Sequence, residues 1–419
     1  MSGIGRRHDP ETTSSTNGWP SATMRPVSLR RSRLAVAGAF LTQGFVFISL
    51  TTRLPAFSDR WSLSEVELSL LLLALVLLAG VGTLIAERVA PRFGSALPLR
   101  AALLGTAVTV PVATLAPDVA VFAVAVACYG VMLGVIDAAV NMQAVALEHE
   151  YARPILPSFH GAWTVGGLIA SALTLASADL DLRWMACVAV VPLVAATAPY
   201  LAHERAGAPS VDVPGVAVPW RPIMLVGAAL VLFYMVDTAA FTWGPTYLDR
   251  VVDAPSDLVA LATFPYLVTS GLVRLAGDDL VHRFGAVRVL RTGALVASAA
   301  LALVVFAPTW PVAVLGFFIL GGGVAVVAPL SFSAAARIAG GDTLDLAQDA
   351  AQRRSRVDAV IARFNQFNYV GALLGAVMTG LVGAGSLRIG FAVPMVLVLG
   401  LLPLAKAFAP SPPVTTTGR

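Results

Sequence analysis

Apolar runs of about twenty residues recur along the whole chain, separated by short clusters of Pro, Gly and charge. A helix needs about 20 apolar residues to cross a hydrocarbon layer roughly 30 Å thick. Twelve such spans are expected: about 34–57, 66–87, 97–115, 119–147, 157–178 and 182–202, then 221–246, 257–277, 289–308, 310–337, 358–383 and 387–408. Stretches such as 70–79 and 299–307 are continuously apolar, which argues against the alternating strands of a membrane β-barrel. Only 12% of the 419 residues are charged, about half the share a water-exposed surface carries. Two cysteines, Cys128 and Cys187, exclude a disulfide scaffold. An all-α integral membrane protein remains.

Basic residues set the expected orientation. The first 33 residues hold Arg6, Arg7, Arg25, Arg30, Arg31 and Arg33, and the loops on that side add Arg88, Arg92, Arg153, Arg205, Arg283 and Arg288, among others. The opposite side is acidic, with Asp59, Glu65, Glu67, Asp179, Asp181, Asp249 and Asp253. Both termini are therefore expected in the cytoplasm, and the +4 net charge is topological. Dispersed over loops and a tail, these arginines do not form a nucleic-acid surface. The expected organisation is a disordered cytoplasmic tail over 1–32, a six-helix bundle over 33–202, a cytoplasmic linker over 203–220, a second bundle over 221–408 and a cytoplasmic tail over 409–419.

The two bundles repeat one another. Pro55-Ala56-Phe57-Ser58-Asp59-Arg60 closes span 1 and Pro245-Thr246-Tyr247-Leu248-Asp249-Arg250 closes span 7, at an offset of 190. Arg92-Phe93-Gly94 between spans 2 and 3 matches Arg283-Phe284-Gly285 between spans 8 and 9, at 191. Phe159-His160-Gly161 and Val165-Gly166 in span 5 match Phe364-Asn365-Gln366 and Val370-Gly371 in span 11, at 205. Parallel six-helix repeats about an axis along the membrane normal are the major facilitator architecture.

The chain resembles the YbjJ/MosC-like bacterial branch of the major facilitator superfamily. The residues that carry the resemblance are Arg53-Leu54-Pro55-Ala56, Gly134-Val135-Ile136-Asp137-Ala138-Ala139-Val140-Asn141, Ser158-Phe159-His160-Gly161, Arg274-Leu275-Ala276-Gly277-Asp278 and Arg288-Val289-Leu290. It departs from the family at the acidic position of the short basic loops, where Pro91 and His282 stand, and at Thr242-Trp243, where relatives often have Asp-Trp. The resemblance implies a secondary transporter whose spans 1, 4, 7 and 10 surround a central site, flanked by 5 and 11. It implies gating residues at the short loops, here Arg92, Gly94, Arg283 and Gly285; Arg274 and Asp278, four apart at the cytoplasmic end of span 8, are expected to form with Arg283 a structural or gating charge network.

Ionisable groups inside hydrocarbon are costly and usually face a bundle interior or an aqueous path. Asp137, Asn141 and Glu148 share one face of span 4, preceded by Gly130 and Gly134 at a spacing that lets another helix approach closely. Glu148, at the helix end, is expected to be solvated or paired with Arg153. His160 in span 5 carries an imidazole that changes charge in the physiological range, with Trp163 on the same face. Asp237 lies near mid-depth in span 7. Asp137, His160 and Asp237 are the candidates for proton coupling. Gln43, Arg53, Asn141, Trp163, Trp243, Asn365 and Asn368 are the candidates for substrate binding. For each, a purely structural hydrogen bond is the competing reading. Gly321-Gly322-Gly323 and Pro329 predict a kink in span 10.

The sequence holds no G-x-x-x-x-G-K-[ST], HExxH or CxxC, and its five histidines are scattered, so no metal site or ATP chemistry is expected. The expected function is alternating-access transport of a small polar or amphipathic molecule by a monomer in the inner membrane. It would be proton-coupled, with no cofactor beyond the proton gradient, and with substrate and membrane lipids as the partners. Export is slightly favoured. The alternatives are an uptake symporter for a sugar or metabolite, and a membrane receptor that binds without moving its ligand.

Overall fold

The computed structural model describes residues 26–151, 155–201, 219–340, 360, 364 and 366–409. The expected linker and the rest of both tails lie almost wholly outside the described residues, as do Arg363 and Asn365, but residues 26–32, expected to be disordered, already form the start of the first helix. Among the described residues every regular element is helical. The N-terminal half comprises α1 (Pro26–Thr51), α2 (Leu54–Trp61), α3 (Glu65–Phe93), α4 (Ala96–Thr114), α5 (Val119–Tyr151), α6 (Leu156–Ala176) and α7 (Val190–Ala196). The C-terminal half comprises α8 (Trp220–Arg250), α9 (Phe264–Leu275), α10 (Gly277–Phe284), α11 (Ala286–Val305), α12 (Trp310–Val324), α13 (Val327–Gly340), α14 (Gln366–Val382), α15 (Leu387–Leu397) and α16 (Leu401–Leu404).

Among the described residues nine helices are long and apolar enough to cross a membrane. Three shorter apolar helices, Leu182–Ala196, Val259–Leu275 and Gln366–Val382, fall where three further spans were expected. The outward faces of the long helices carry large apolar side chains, including Leu77 at 54%, Val108 at 62% and Val396 at 59% exposure. Water would not tolerate such a belt, and lipid requires it.

Local sequence explains the breaks. Span 1 stops at Thr51, and Pro55 sits in the first turn of the separate helix α2, where its missing N–H costs nothing. Ser64 and Glu67 then form a reciprocal capping box that starts α3. Span 10 divides into α12 and α13 after its three glycines and just before Pro329, the predicted kink.

The internal duplication is visible in geometry. Gly94 ends α3 at φ 76°, ψ 159°, and Gly285 ends α10 at φ 78°, ψ 148°. A side chain at either position would be strained, so the same turn is built twice from the same residue. Arg100 on α4 donates to the Ala198 carbonyl at 2.9 Å, and Arg291 on α11, 191 residues later, donates to the Leu402 carbonyl at 3.1 Å. Each ties the third span of its half to the end of the sixth.

Within the N-terminal half α3 packs on α5 and α1 on α6; within the C-terminal half α8 packs on α14 and α11 on α12. The halves meet most extensively through α3 with α14 and α6 with α9, and α8 also touches α1 and α2. An α3–α5 seam follows from the glycines of span 4. A Cβ on Gly130 would lie 2.6 Å from the Leu75 carbonyl oxygen, and one on Gly134 would lie 1.8 Å from that of Ala79.

Candidate functional site

A cavity of about 2360 Å³ lies between the halves. That is larger than the 300–1,000 Å³ typical of a small-molecule pocket. Its wall reaches Glu87, Glu148, Val281 and His282 at the end of the bundle where α1 begins. At the opposite, distal end the halves touch. Arg250 at the end of α8 donates to the Ser58 hydroxyl at 2.8 Å and pairs with Asp59 at 3.3 Å. The Gly385 amide donates to Glu65 at 3.0 Å. The cavity is thus closed distally and extends to the end that carries the start of the chain.

Asp137 and Asp237 both face this cavity, one from each half. Asp137 Oδ1 accepts from Gln43 Nε2 on α1 at 3.1 Å. Its Oδ2 accepts from the Tyr369 hydroxyl on α14, across the junction between the halves. Tyr369 in turn accepts from Thr83 on α3 at 3.0 Å. Asp237 Oδ1 accepts from the Tyr266 hydroxyl on α9 at 2.6 Å. Asn141 lines the cavity and donates back to the Asp137 carbonyl at 2.8 Å. Gln43 Oε1 is buried and has no partner among the described residues.

His160 and Trp163 place α6 in the wall. His160 meets the edge of Phe40 at 5.3 Å. Trp163 stands between Phe47, at 6.5 Å, and Phe241 of the other half, at 5.9 Å. Phe241 in turn abuts Tyr266 edge-on at 5.2 Å. An aromatic row therefore runs across the cavity to the tyrosine that holds Asp237. Asn368 also lines the wall.

Arg274, expected with Asp278 and Arg283 in a charge network at the helix end, reaches the cavity instead. It donates to the Ala325 carbonyl at 3.1 Å and to the Thr164 hydroxyl at 3.4 Å. The Asp278 side chain lies outside the described ones. The repeat relates this contact to another: Arg274 follows Thr83 by 191 residues, and Tyr369 follows Thr164 by 205. Thr83–Tyr369 and Arg274–Thr164 are therefore symmetry mates, one bridging α3 to α14 and the other α9 to α6. Arg92, Gly94, Arg283 and Gly285 remain at the short turns, away from this centre.

Two expected binding residues stand elsewhere. Arg53 donates to the Ser177 carbonyl at 2.9 Å and hydroxyl at 2.8 Å, joining the end of α1 to the end of α6. Trp243 is fully buried and donates to the Ala376 carbonyl at 2.7 Å, joining α8 to α14. Neither lines the cavity. The two donors are 190 residues apart, at equivalent positions of the repeats, and each ties the first span of its half to the fifth, at non-equivalent acceptors. Glu148, expected to be solvated or paired, caps α6 by accepting from the Ile155 and Leu156 amides at 2.8 and 2.9 Å. Sequence reading missed Thr83, Thr164, Tyr234 and Tyr266. Tyr234 precedes Asp237 by one turn, and that spacing was the available signal.

Comparisons with known proteins agree with this architecture. The model of the Major Facilitator Superfamily matches residues 5–154. The uncharacterized transporter y4wD of Sinorhizobium fredii is 28% identical over 72% of this chain and 81% of its own length. An uncharacterized MFS-type transporter of Yersinia pestis is 25% identical over 88% and 94%, and the membrane protein MosC of Rhizobium meliloti is 26% identical over 72% and 75%. Among solved structures, a mutant of the nucleoside transporter NupG superposes with a TM-score of 0.66 at 13% identity, covering 90% of this chain and 98% of that one. A variant of the E. coli fucose:proton symporter FucP superposes at 0.53 with 14% identity, covering 90% and 98%. The duplicated helical fold, the central cavity and these relatives together support a multi-pass membrane transporter of a bacterial branch of the major facilitator superfamily.

Proposed function

We propose that the protein moves a small polar or amphipathic molecule across the inner membrane by alternating access, driven by protons, with both termini in the cytoplasm and export as the favoured direction. The observation that carries this is the placement of one carboxylate from each half on a single cavity, Asp137 tied to the other half by Tyr369 and Asp237 held within its own half by Tyr266. Protonating Asp137 would weaken a bond that holds the halves together. Protonating Asp237 would release the tyrosine beneath Trp163 and Phe241. His160 faces the same space and can pass a proton between them. The cytoplasmic orientation rests on the basic loops and tail. In this reading the proton gradient is the driving force and the monomer is the transporting unit. An uptake symporter for a hydroxylated solute is the second reading, favoured by the amides of Gln43, Asn141 and Asn368 and by the fold shared with a fucose:proton symporter.

Transport in proteoliposomes tests the proposal. Flux is expected to follow an imposed pH gradient, and Asp237→Asn and Asp137→Asn are expected to retain exchange while losing gradient-driven accumulation. Flux indifferent to the gradient, or unchanged in both variants, would overturn it.

A further inference from the structure

The cavity is lopsided although the chain is duplicated. In the C-terminal half the distal interior is plugged by Tyr247, Phe317 and Phe391, all fully buried, with Tyr247 and Phe391 at 5.1 Å and Phe317 and Phe391 at 5.8 Å. The repeat offsets of 190, 191 and 205 place Phe57, Val126 and Ala186 at the corresponding positions of the N-terminal half. Two of the three rings are absent at these positions; the half instead carries Phe122 and Tyr129 where the other has Ala313 and Leu320, with Phe122 stacked on Phe57 at 5.0 Å. The cavity extends into that region, where Phe57, Phe122, Val126 and Tyr129 line it, and it has no counterpart lobe in the other half. Phe122, Val126 and Tyr129 lie four and then three residues apart on α5, so they share one face. The Tyr247 hydroxyl donates to the Val304 carbonyl at 2.6 Å, whereas the Tyr129 hydroxyl is buried with no partner among the described residues.

Resting on the transport reading above, we infer that the carried molecule is amphipathic and that this lobe takes its apolar part. The polar head sits among Asp137, Asp237, His160 and Arg274. An apolar ring or short chain enters this lobe, and an ether or carbonyl oxygen along it accepts from Tyr129. A water-soluble sugar would leave the lobe's apolar wall unused.

The test uses purified protein in nanodiscs and three pairs of probes, each sharing a head and differing in its tail: methyl and hexyl β-D-glucoside, methylamine and hexylamine, acetate and heptanoate. Each buried methylene is worth about fourfold in affinity. With at least one head the longer member, with five added methylenes, is expected to bind on the order of 1,000-fold tighter. Val126→Phe, which restores the ring present in the other half, is expected to abolish that gain and leave the short member within about twofold. Ala113→Leu, entering the lobe from α4, is the second variant should the first fold poorly. Absence of a tail gain with all three heads, or a gain untouched by both substitutions, would overturn the inference. Counterflow in liposomes separates the two proposals. A tail gain without flux removes the transport reading and keeps the lobe, and flux without a tail gain removes the lobe.

Discussion

Tyr369 sets the behaviour of the centre at the residue scale. Its hydroxyl donates to Asp137 and accepts from Thr83, so one phenol joins α14 to both α3 and α5. A hydrogen bond to a charged acceptor contributes about 1.5–3 kcal/mol net. Tyr369→Phe removes it without changing the ring. The ratio of the conformer closed at this junction to the open one is expected to fall roughly 10- to 100-fold, measured by distances between spin labels on the ends of α3 and α14. Unchanged distance distributions would show that the bond follows the conformation and does not set it. Arg53 and Trp243 teach the opposite lesson. A cation and a tryptophan near helix ends look like ligand groups in a sequence, yet both are spent on neighbouring helix carbonyls. Their common offset of 190 was legible, and it favours a shared structural role over two separate contacts with one asymmetric substrate.

Helix contact governs the element scale. Gly134 lets α5 lie directly on the backbone of α3, and a Cβ there would sit 1.8 Å from a carbonyl oxygen. Membrane helices gain little from the hydrophobic effect against one another, so close backbone approach is what holds them. Gly134→Leu is expected to cost several kcal/mol and to lower the unfolding temperature in detergent by 10 °C or more, on the order of the penalties for overpacking. Gly161, which has open space around its Cβ position, is the control, and Gly161→Ala is expected to shift it little. The paired clasps make a second prediction. Arg100→Ala and Arg291→Ala each free a terminal carbonyl of the sixth span in their half. The two losses are expected to be similar, about 1–3 kcal/mol, and additive within about 0.5 kcal/mol because the sites share no partner. Chemical denaturation of the single and double variants measures this.

For the whole molecule, the distal contacts decide which way the cavity opens. Arg250 with Ser58 and Asp59, and Glu65 with the Gly385 amide, hold the halves together on the acidic side. A disulfide between Ser58→Cys and Arg250→Cys is expected to lock that end shut and abolish transport, with recovery on reduction. Cysteines at the opposite end are expected to stay reactive in the locked protein. Full transport by the oxidised double variant would mean that this end does not open during the cycle.

The sequence by itself determined that the chain is helical, spans a membrane, and uses one helical unit twice. Those properties follow from the length of apolar runs, the sign of loop charges and short motifs at fixed offsets, all local quantities. It also picked out Asp137, Asn141, His160, Trp163 and Asp237, because polar groups in hydrocarbon are rare enough to stand out. Only the tertiary structure decided which polar groups meet. Tyr369 finds Asp137 232 residues away, Tyr266 finds Asp237, and Arg274 turns toward the cavity. The reason is geometric: hydropathy fixes a residue's depth in the bilayer, while its rotation about the helix axis is set by packing against helices far away in the chain. That same rotation sends Arg53 and Trp243 into the helix seams and lets the cavity reach into the N-terminal lobe and not its twin.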